Sequence, residues 1–386
     1  MKSKDILLLI DAVPVERFKG IARFAKEHAW HMTIEDRPSY PPPAGWRGDG
    51  AIVMLNNEPR RIAYVKKLMR RGIPIVDLTA NCPDIRLPRV LGDSPAVGRL
   101  AAGHFAERSL KHIAWFSAEW TPGHENRFNG FVSAWSPRGK VLKWVFPPSA
   151  PVGGRTLADW LQSRILDAPK PLGIFCYNDY DAADVLNVCL RCGLNVPEDV
   201  AILGVDDNEV LCESQPIPLS SVRYDHESVG YASAELLARL MTGGQVSAKK
   251  ANPILIPPLG VTTRGTTDMI AATDPLVKAS IRWIAENLSS PIGAHEVAQG
   301  LSVPRIRLDR AFATDLGRSV GTEIKRQRLA VAKKLLSGTD LKLETIARQT
   351  GFCHASYFIR IFKSGTGVSP RRFRLLANAH FRNESR

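Results

Sequence analysis

The sequence predicts an α/β domain of parallel βαβ units followed by an all-α domain that carries a doubled helix-turn-helix. Three observations predict it. Short apolar runs alternate with helical periodicity through residues 1–256. Strand signals then stop at a stretch rich in Pro, Thr and Gly, residues 257–274. Beyond it, residues 275–386 contain a weak internal repeat and a concentration of basic charge.

In chain order, the strand candidates are residues 6–10, 51–55, 73–76, 113–116, 141–146, 173–176 and 201–205. Helical patterns occupy 17–28, 59–71, 96–109, 157–166 and 181–192. Short apolar strands separated by helices of this length are the sign of parallel pairing, because a parallel crossover needs a connection of a dozen or more residues. Pro41-Pro42-Pro43 and Pro147-Pro148 mark loops, since proline has no amide hydrogen for a sheet ladder. Pro257-Pro258 opens the stretch expected to link the domains.

The helical repeat aligns Val297-Ala298 with Ile346-Ala347, an offset of 49, and then Leu308, Arg310 and Phe312 with Phe358, Arg360 and Phe362, an offset of 50. One inserted turn residue accounts for the difference. In the first copy a short helix at Ala294–Gly300 is followed by the turn Leu301-Ser302-Val303 and a helix over 304–314. Pro304 suits a first helical position, where its missing amide hydrogen costs nothing. In the second copy the helix at 343–350 is followed by Gly351-Phe352-Cys353 and a helix over 354–364. Leu308 with Phe312, and Phe358 with Phe362, pair at i,i+4 and should be buried. Arg305, Ile306, Asp309 and Arg310 are left on other faces of the first helix, and His354, Ser356, Tyr357 and Arg360 on those of the second.

This is what reading a major groove demands: one apolar face to hold the helix on its scaffold and one polar face to reach base edges. Two such units can enter groove segments about 34 Å apart if a rigid helix joins them. Residues 320–337 qualify, with an apolar stripe at Ile324, Leu329, Ala332, Leu335 and Leu336, and with Lys325, Arg326, Arg328, Lys333 and Lys334 on faces suited to phosphates. Charge agrees. Residues 275–386 hold 20 Lys/Arg against 8 Asp/Glu, a balance of +12 out of the chain's +14. A nearly neutral body with a basic tail points to a polyanion partner for the tail. A plain helical bundle with solvated lysines is the competing reading.

Gly351-Phe352, the run Ser356-Tyr357-Phe358-Ile359-Arg360-Ile361-Phe362-Lys363, and Gly367-Val368-Ser369-Pro370-Arg371-Arg372-Phe373-Arg374 together resemble the signature of the AraC/XylS-type regulators, over about 100 residues. By that resemblance Arg305, Ile306, Asp309 and Arg310 lie on the first base-reading helix, and His354, Ala355, Ser356 and Arg360 on the second. Pro304 departs from the small hydroxyl residue common at that cap.

In the first domain, polar residues follow strand after strand. Asp11 follows 6–10, Asp77 follows 73–76, Asn178-Asp179 follows 173–176, and Asp206-Asp207-Asn208 follows 201–205. Open α/β folds bind ligands beyond the carboxyl ends of their strands. A strand-end carboxylate can equally do no more than cap the next helix.

Several pieces resemble the effector-binding core of the LacI/GalR repressors: Gly48-Asp49-Gly50-Ala51-Ile52, Arg127-Phe128-Asn129-Gly130-Phe131, Pro197-Glu198-Asp199-Val200-Ala201-Ile202 and Leu219-Ser220-Ser221-Val222, within about 250 residues. The resemblance implies a two-lobed sensor of periplasmic-binding-protein type. Arg127, Asn178 and Asp206 would grip a ligand's hydroxyls, with Asp11, Arg17, Asp93 and Trp120 as further effector-binding candidates. Carboxylate, amide and guanidinium groups suit a sugar, whose adjacent hydroxyls both donate and accept. Trp120 or Phe128 would cover an apolar ring face, although a Trp is more often core.

No helix-turn-helix precedes the first strand, unlike the LacI/GalR pattern. A sensor of this type joined to an AraC-type tail resembles the xylose-operon activators, as do Arg264-Gly265-Thr266-Thr267-Asp268 and Thr273-Asp274-Pro275. The expectation is a cytoplasmic homodimeric activator that binds double-stranded DNA and D-xylose or a related sugar, with RNA polymerase as a further partner and no cofactor.

Other classes fare less well. No apolar stretch reaches the ~18–20 residues that span a bilayer, and Asp11 ends the first apolar run with no small-residue cleavage site after it. The six cysteines read as free thiols, and Cys189-Leu-Arg-Cys192 lacks the further ligands of a zinc site. An amidotransferase-like enzyme would need Cys176 as nucleophile, yet Phe175-Cys176-Tyr177 lacks the glycines of a strained elbow.

Overall fold

The computed structural model describes residues 3–10, 14–35, 45–56, 58–147, 156–243, 252–268, 272, 274–366 and 368–375, the side chains of residues 334, 337 and 338 excepted. The chain forms two compact units, Met1–Ile270 and Ala271–Arg386.

The first unit contains, in order, β1 (Lys4–Leu9), α1 (Val15–Glu27), β2 (Trp30–Glu35), β3 (Gly50–Val53), α2 (Pro59–Arg70), β4 (Ile75–Asp77), β5 (Val90–Gly92), α3 (Ser94–Glu107), β6 (His112–Ser117) and α4 (Pro122–Trp135). There follow β7 (Val141–Val145), α5 (Leu157–Asp167), β8 (Leu172–Cys176), α6 (Asp179–Arg191), β9 (Val200–Val205), α7 (Glu209–Glu213), β10 (Ser220–Arg223), α8 (His226–Met241), β11 (Ile254–Ile256) and β12 (Gly260–Thr262). One sheet has the order β2-β1-β3-β4 and is parallel throughout. The other has the order β12-β10-β9-β8-β6-β7, parallel except for β12. Each sheet is the centre of one lobe. The chain passes between lobes after β5, after β10 and after β11, and β5 and β11 pair with each other beside two of those crossings.

The strands are nearly all apolar because both faces are covered, as parallel sheets require. Ile6, Leu8, Ile52 and Val76 pack on one side of the first sheet with Ile21 and Leu237, while Leu7, Leu9, Ala51 and Val53 pack on the other with Val65 and Leu68. In the second lobe Ile174, Cys176, Val200 and Ile202 pack on Val185, Leu186 and Cys189 of α6.

Two close helix contacts place the residues that matter below. A Cβ on Gly230 of α8 would lie 2.1 Å from the carbonyl oxygen of Arg17 in α1. A Cβ on Gly98 of α3 would lie 2.3 Å from the carbonyl oxygen of Arg127 in α4. Only glycine lets these backbones approach so closely.

Some elements were not visible in the apolar pattern. β2 carries His31 and Thr33 among its apolar residues, and β5, β10, β11 and β12 are only three or four residues long. Part of the expected linker is built into the first unit. β12 pairs antiparallel with β10, and Thr266 and Thr267 are fully buried. Thr266 Oγ1 donates to the Ile202 carbonyl at 2.8 Å and accepts from Ser220 N. Threonines read as loop residues are here satisfied inside a sheet edge.

The second unit consists of α9 (Pro275–Glu286), α10 (Ala294–Gly300), α11 (Arg305–Leu316), α12 (Val320–Gly338), α13 (Leu343–Gln349) and α14 (Ala355–Thr366). α9 lies outside the repeat and is capped by Asp274, which accepts from Leu276 N at 2.7 Å. Pro304 lies one residue outside α11 as its N-cap, with an extended ψ of 134°, so it is not the first helical residue as expected. Its carbonyl still accepts from Leu308 N and starts the helical ladder.

All six cysteines are free. Burial pushes the Cys189 thiol up to about 12 and the Cys176 thiol well above its ordinary value, opposite to what a nucleophile needs. Among the described residues no group of three or more His, Cys, Asp or Glu is placed to hold a metal ion, and no helix is long and apolar enough to cross a membrane.

Candidate functional site

The lobes meet at a cluster of buried polar side chains. Arg17, on the first turn of α1, is 7% exposed. Its Nη2 lies 2.9 Å from Nδ1 of His226, the first residue of α8, and the Nε2 of His226 lies 3.2 Å from Asp206 Oδ1 in the other lobe. An arginine has only donors, so Nδ1 must accept and Nε2 must carry the hydrogen that Asp206 receives. The chain Arg17–His226–Asp206 therefore has one consistent set of proton positions.

Asp206 follows β9 with φ 106°, and Asp207 has φ 57°. Side chains rarely adopt this region, and strain of this kind persists where surrounding bonds over-determine it. Here Asp206 N donates to the Val222 carbonyl and Asp207 N to Ser221 Oγ, both at about 3 Å. Burial works against a charged Asp206. The hydrogen bond from His226 and the positive potential of Arg127 and Arg17 outweigh it and hold the carboxyl below its usual range.

Arg127, on α4, is 5% exposed and donates through Nη1 to the Tyr177 carbonyl. Its guanidinium carbon lies 4.4 Å from the Tyr177 ring centroid and 5.9 Å from that of Tyr224. His124 stacks on Tyr177 at 3.6 Å between centroids. Burial first, and then the Arg127 charge, push His124 down to about 4, so it is neutral at pH 7. Thr121, which caps α4, donates to Asn81 of the first lobe at 3.1 Å, a second polar tie between lobes.

The structure thus brings together Arg17, Arg127 and Asp206 of the expected effector residues. Asp11 lies outside the described residues. Asp93 and Asn178 are helix N-caps: Asp93 accepts from Ala96 N and Asn178 from Asp181 N, each at 2.8 Å. That is the capping role open to any strand-end polar group. Trp120 is 37% exposed, with Lys143 Nζ 3.6 Å above its ring and His124 6.0 Å away. Asp77 is fully buried and holds Arg89, Thr79 and Leu55 N within the first lobe. Tyr177, Tyr224, His226 and His124 were missed. Tyr224 and His226 directly follow the Ser220-Ser221-Val222 strand, and Tyr177 precedes Asn178, so position was their only signal.

The second unit presents two polar helix faces. On α11, Leu308 and Phe312 are fully buried while Arg305, Arg310 and Ile306 are exposed, Ile306 by 75%. Arg305 Nε donates to Asp309 Oδ2 at 2.8 Å across one helical turn. On α14, Phe358 and Phe362 are buried, Ser356 and Arg360 exposed, and Ala355 half-buried. His354 is exposed just ahead of the helix, and its carbonyl accepts from Phe358 N. The Arg360 guanidinium lies 5.4 Å from the Tyr357 ring centroid.

Two basic residues of α12 are not free for phosphate as expected. Arg326 and Arg318 both pair with the buried Glu323, at 3.1 and 2.9 Å. Arg328 donates to the Ser290 carbonyl at 2.8 Å and lies over Phe352. Arg326 turns inward because the buried Glu323 carboxylate needs donors, and Arg328 turns to the Ser290 carbonyl in the turn after α9, which also accepts from Ile292 N.

Comparison with known proteins agrees with these two units. Residues 102–267 match the model of a periplasmic binding protein-like domain, and residues 297–375 that of a helix-turn-helix domain. The chain is 26% identical over 374 residues to the xylose operon regulatory protein of Escherichia coli (strain K12), covering 92% of each chain. It is 28% identical over 298 residues to the protein of the same name in Haemophilus influenzae, covering 75% of each. Among solved structures it is similar to the xylose-binding transcription activator XylR, with a TM-score of 0.58, 23% identity and 97% and 98% of the two chains covered. It also resembles the transcriptional regulator CelR in complex with cellobiose, with a TM-score of 0.54 and 19% identity over 69% of this chain and 86% of that one.

Proposed function

We propose, from the premise that the chain is an AraC-type transcription regulator with a periplasmic-binding-protein-like sensor domain, that it binds a sugar between the two lobes and thereby changes its hold on operator DNA. The effector is D-xylose or a related sugar. Arg17, Arg127 and Asp206 contact its hydroxyls, with Tyr177, Tyr224 and His226 around them. The protein acts in the cytoplasm as a homodimeric activator that contacts RNA polymerase, and as a binding protein rather than an enzyme.

The observation that carries this reading is the Arg17–His226–Asp206 chain, in which Arg17 and His226 are buried and Asp206 is half-buried, and which joins groups from both lobes in one polar cluster. A ligand that replaces or bridges those bonds has a differential affinity for lobe arrangements, without which it could shift nothing. Asp11, Asp93, Asn178 and Trp120 are kept as secondary contacts, Asp93 and Asn178 only if they can leave their caps.

In the second unit Arg305, Ile306, Asp309 and Arg310 read one major-groove segment, and His354, Ala355, Ser356 and Arg360 read another. Exposed Ile306 fits a thymine methyl group, and Arg310 and Arg360 fit the acceptors of guanine. The Arg305–Asp309 pair must open or turn as a unit to reach a base.

Calorimetry with a panel of pentoses and hexoses, with footprinting of the upstream region of a sugar-catabolism operon, tests both halves. Sugar-dependent protection of two segments about 34 Å apart is the expected result. An unresponsive panel would sink the sensor reading, and absence of salt-sensitive DNA binding would sink the regulator reading.

A further inference from the structure

Arg305 and Asp309 are paired in the order that helps α11 least. Arg305 is the first residue of the helix and Asp309 the fifth, so the cation stands at the positive end of the helix dipole and the acid follows it by one turn. The first turn holds no acid, and Pro304 gives it no side-chain cap, whereas Asp274 and Ser319 cap α9 and α12. The two side chains are 49% and 44% exposed, and an ion pair so exposed adds little to stability. Helix stability therefore does not account for the pair.

Its bond runs from Arg305 Nε to Asp309 Oδ2 at 2.8 Å. Among the described residues, neither Nη group of Arg305 and no donor to Asp309 Oδ1 forms a further hydrogen bond, and Glu296 of α10 is spent on the Gly293 amide at 2.8 Å. Arg305, Asp309 and Ala313 follow one another at i,i+4 along one stripe, which borders a groove with Gly317 and Ser319. A guanidinium held at Nε keeps its outer fork for two acceptors, and the second carboxylate oxygen takes only a donor. A carboxylate on a helix that meets DNA works against the phosphate attraction. What it adds is rejection, because guanine and thymine offer it no donor in the major groove while adenine and cytosine each offer an amino group.

We infer that Arg305 and Asp309 read DNA as one unit. Asp309 is a positioning residue that holds the Arg305 fork for O6 and N7 of a guanine, and its spare oxygen selects adenine or cytosine over guanine and thymine on one strand of the adjacent base pair. The first groove-reading helix thus specifies a two-base step rather than a single base. The inference rests on the reading of α11 as a groove-reading helix and narrows it.

The test is selection of binding sites by the full chain from a library of randomised duplexes, with and without D-xylose, followed by titration of a selected and a scrambled duplex. Circular dichroism checks the fold of each variant. Wild type should select a guanine with adenine or cytosine on a fixed strand of the adjacent pair. Arg305→Ala should lose the guanine. Asp309→Ala should lose the adjacent preference and weaken discrimination for the guanine about tenfold, with affinity for the scrambled duplex unchanged or raised. Asp309→Asn should move the adjacent base toward adenine, which an amide matches in a bidentate manner. Positions that Arg310→Ala or Arg360→Ala alters should stay as in wild type in all three. Asp309 variants that select the wild-type sequences, or that lose affinity equally on both duplexes, would overturn the inference, and an altered selection by Arg310→Ala would then leave the groove-reading assignment standing. If wild type selects no sequence at all, that assignment falls and the inference with it.

Discussion

Arg264 Nη1 donates to Asp207 Oδ1 at 2.7 Å, one residue beyond the cleft carboxylate Asp206. The same guanidinium reaches Glu213 at 2.5 Å and the Leu219 carbonyl at 3.0 Å, and Thr262 Oγ1 donates to the other oxygen of Asp207 at 2.7 Å. Asp206 and Asp207 share a strained turn, so a ligand that moves one carboxylate must move the other. Arg264 and Thr262 lie on the segment by which the chain leaves the first unit. Arg264→Met should therefore bind the effector about as tightly as wild type yet lose its effect on DNA binding. The ~1–3 kcal/mol expected for such coupling should fall toward zero, read as operator affinity with and without effector. A variant that keeps its full response would show that the Asp207–Arg264 pair is structural only.

Arg310→Ala and Arg360→Ala should each weaken operator binding by ~1–3 kcal/mol and relax base preference at one position. Lys325→Ala, an exposed change on α12, should weaken binding evenly across sequences and lower the salt slope by about one if it touches phosphate. Gel-shift titrations on operator and scrambled DNA at several salt concentrations separate the two behaviours. Equal losses on both DNAs for Arg310 and Arg360 would remove their base-reading role.

The α/β order and the doubled helical unit were legible because burial writes itself as periodicity. β1, β3, β6, β8 and β9 are apolar runs, and Leu308, Phe312, Phe358 and Phe362 recur at i,i+4 on buried faces. Short edge and crossover strands such as β11 and β12 bury little and leave no such mark. The cleft was half legible. Arg127 and Asp206 came by family resemblance, while His226 and Tyr224 belong to a crossover whose place between lobes only the fold reveals. Asp93 and Asn178 stay ambiguous for a physical reason: both cap a helix, and a strand-end polar residue that caps the next helix has the same sequence position as one that faces a ligand.

The turn between α13 and α14 depends on Gly351. Its φ is 73°, and a Cβ there would lie 2.2 Å from the Leu288 carbonyl oxygen. Backbone cannot yield as a flexible side chain can, so Gly351→Ala combines steric conflict with a left-handed conformation that costs about 1–2 kcal/mol by itself. Thermal unfolding should show the second unit destabilised by at least that much, with DNA affinity reduced in step. Unaltered melting would mean that the α9–α10 connection, where Leu288 lies, moves aside at little cost.

Asp179 gives the first unit a dependence on pH that can be worked out in sign. Burial first, and then the neighbouring charge of Asp206, raise its carboxyl from 3.8 to about 7, against hydrogen bonds from Ser221 Oγ at 2.6 Å and Asn208 N at 2.8 Å. Below about pH 4 the group is protonated in both folded and unfolded chains and contributes no slope. Between about 4 and 7 the folded chain keeps the proton while the unfolded chain loses it. Stability therefore falls as pH rises, by up to ~1.4 kcal/mol per unit, and levels off above 7 once both states are ionised. Asp181 is raised to about 7 by burial as well, so the wild-type profile contains both groups. The difference between Asp179→Asn and wild type isolates one of them, because the Asp181 contribution cancels. That difference should move in favour of the variant from pH 4.5 to 7 and then stay constant, measured by urea unfolding of the full chain. A difference independent of pH would mean that Asp179 is ionised in the folded protein throughout, with the bonds from Ser221 and Asn208 outweighing its burial.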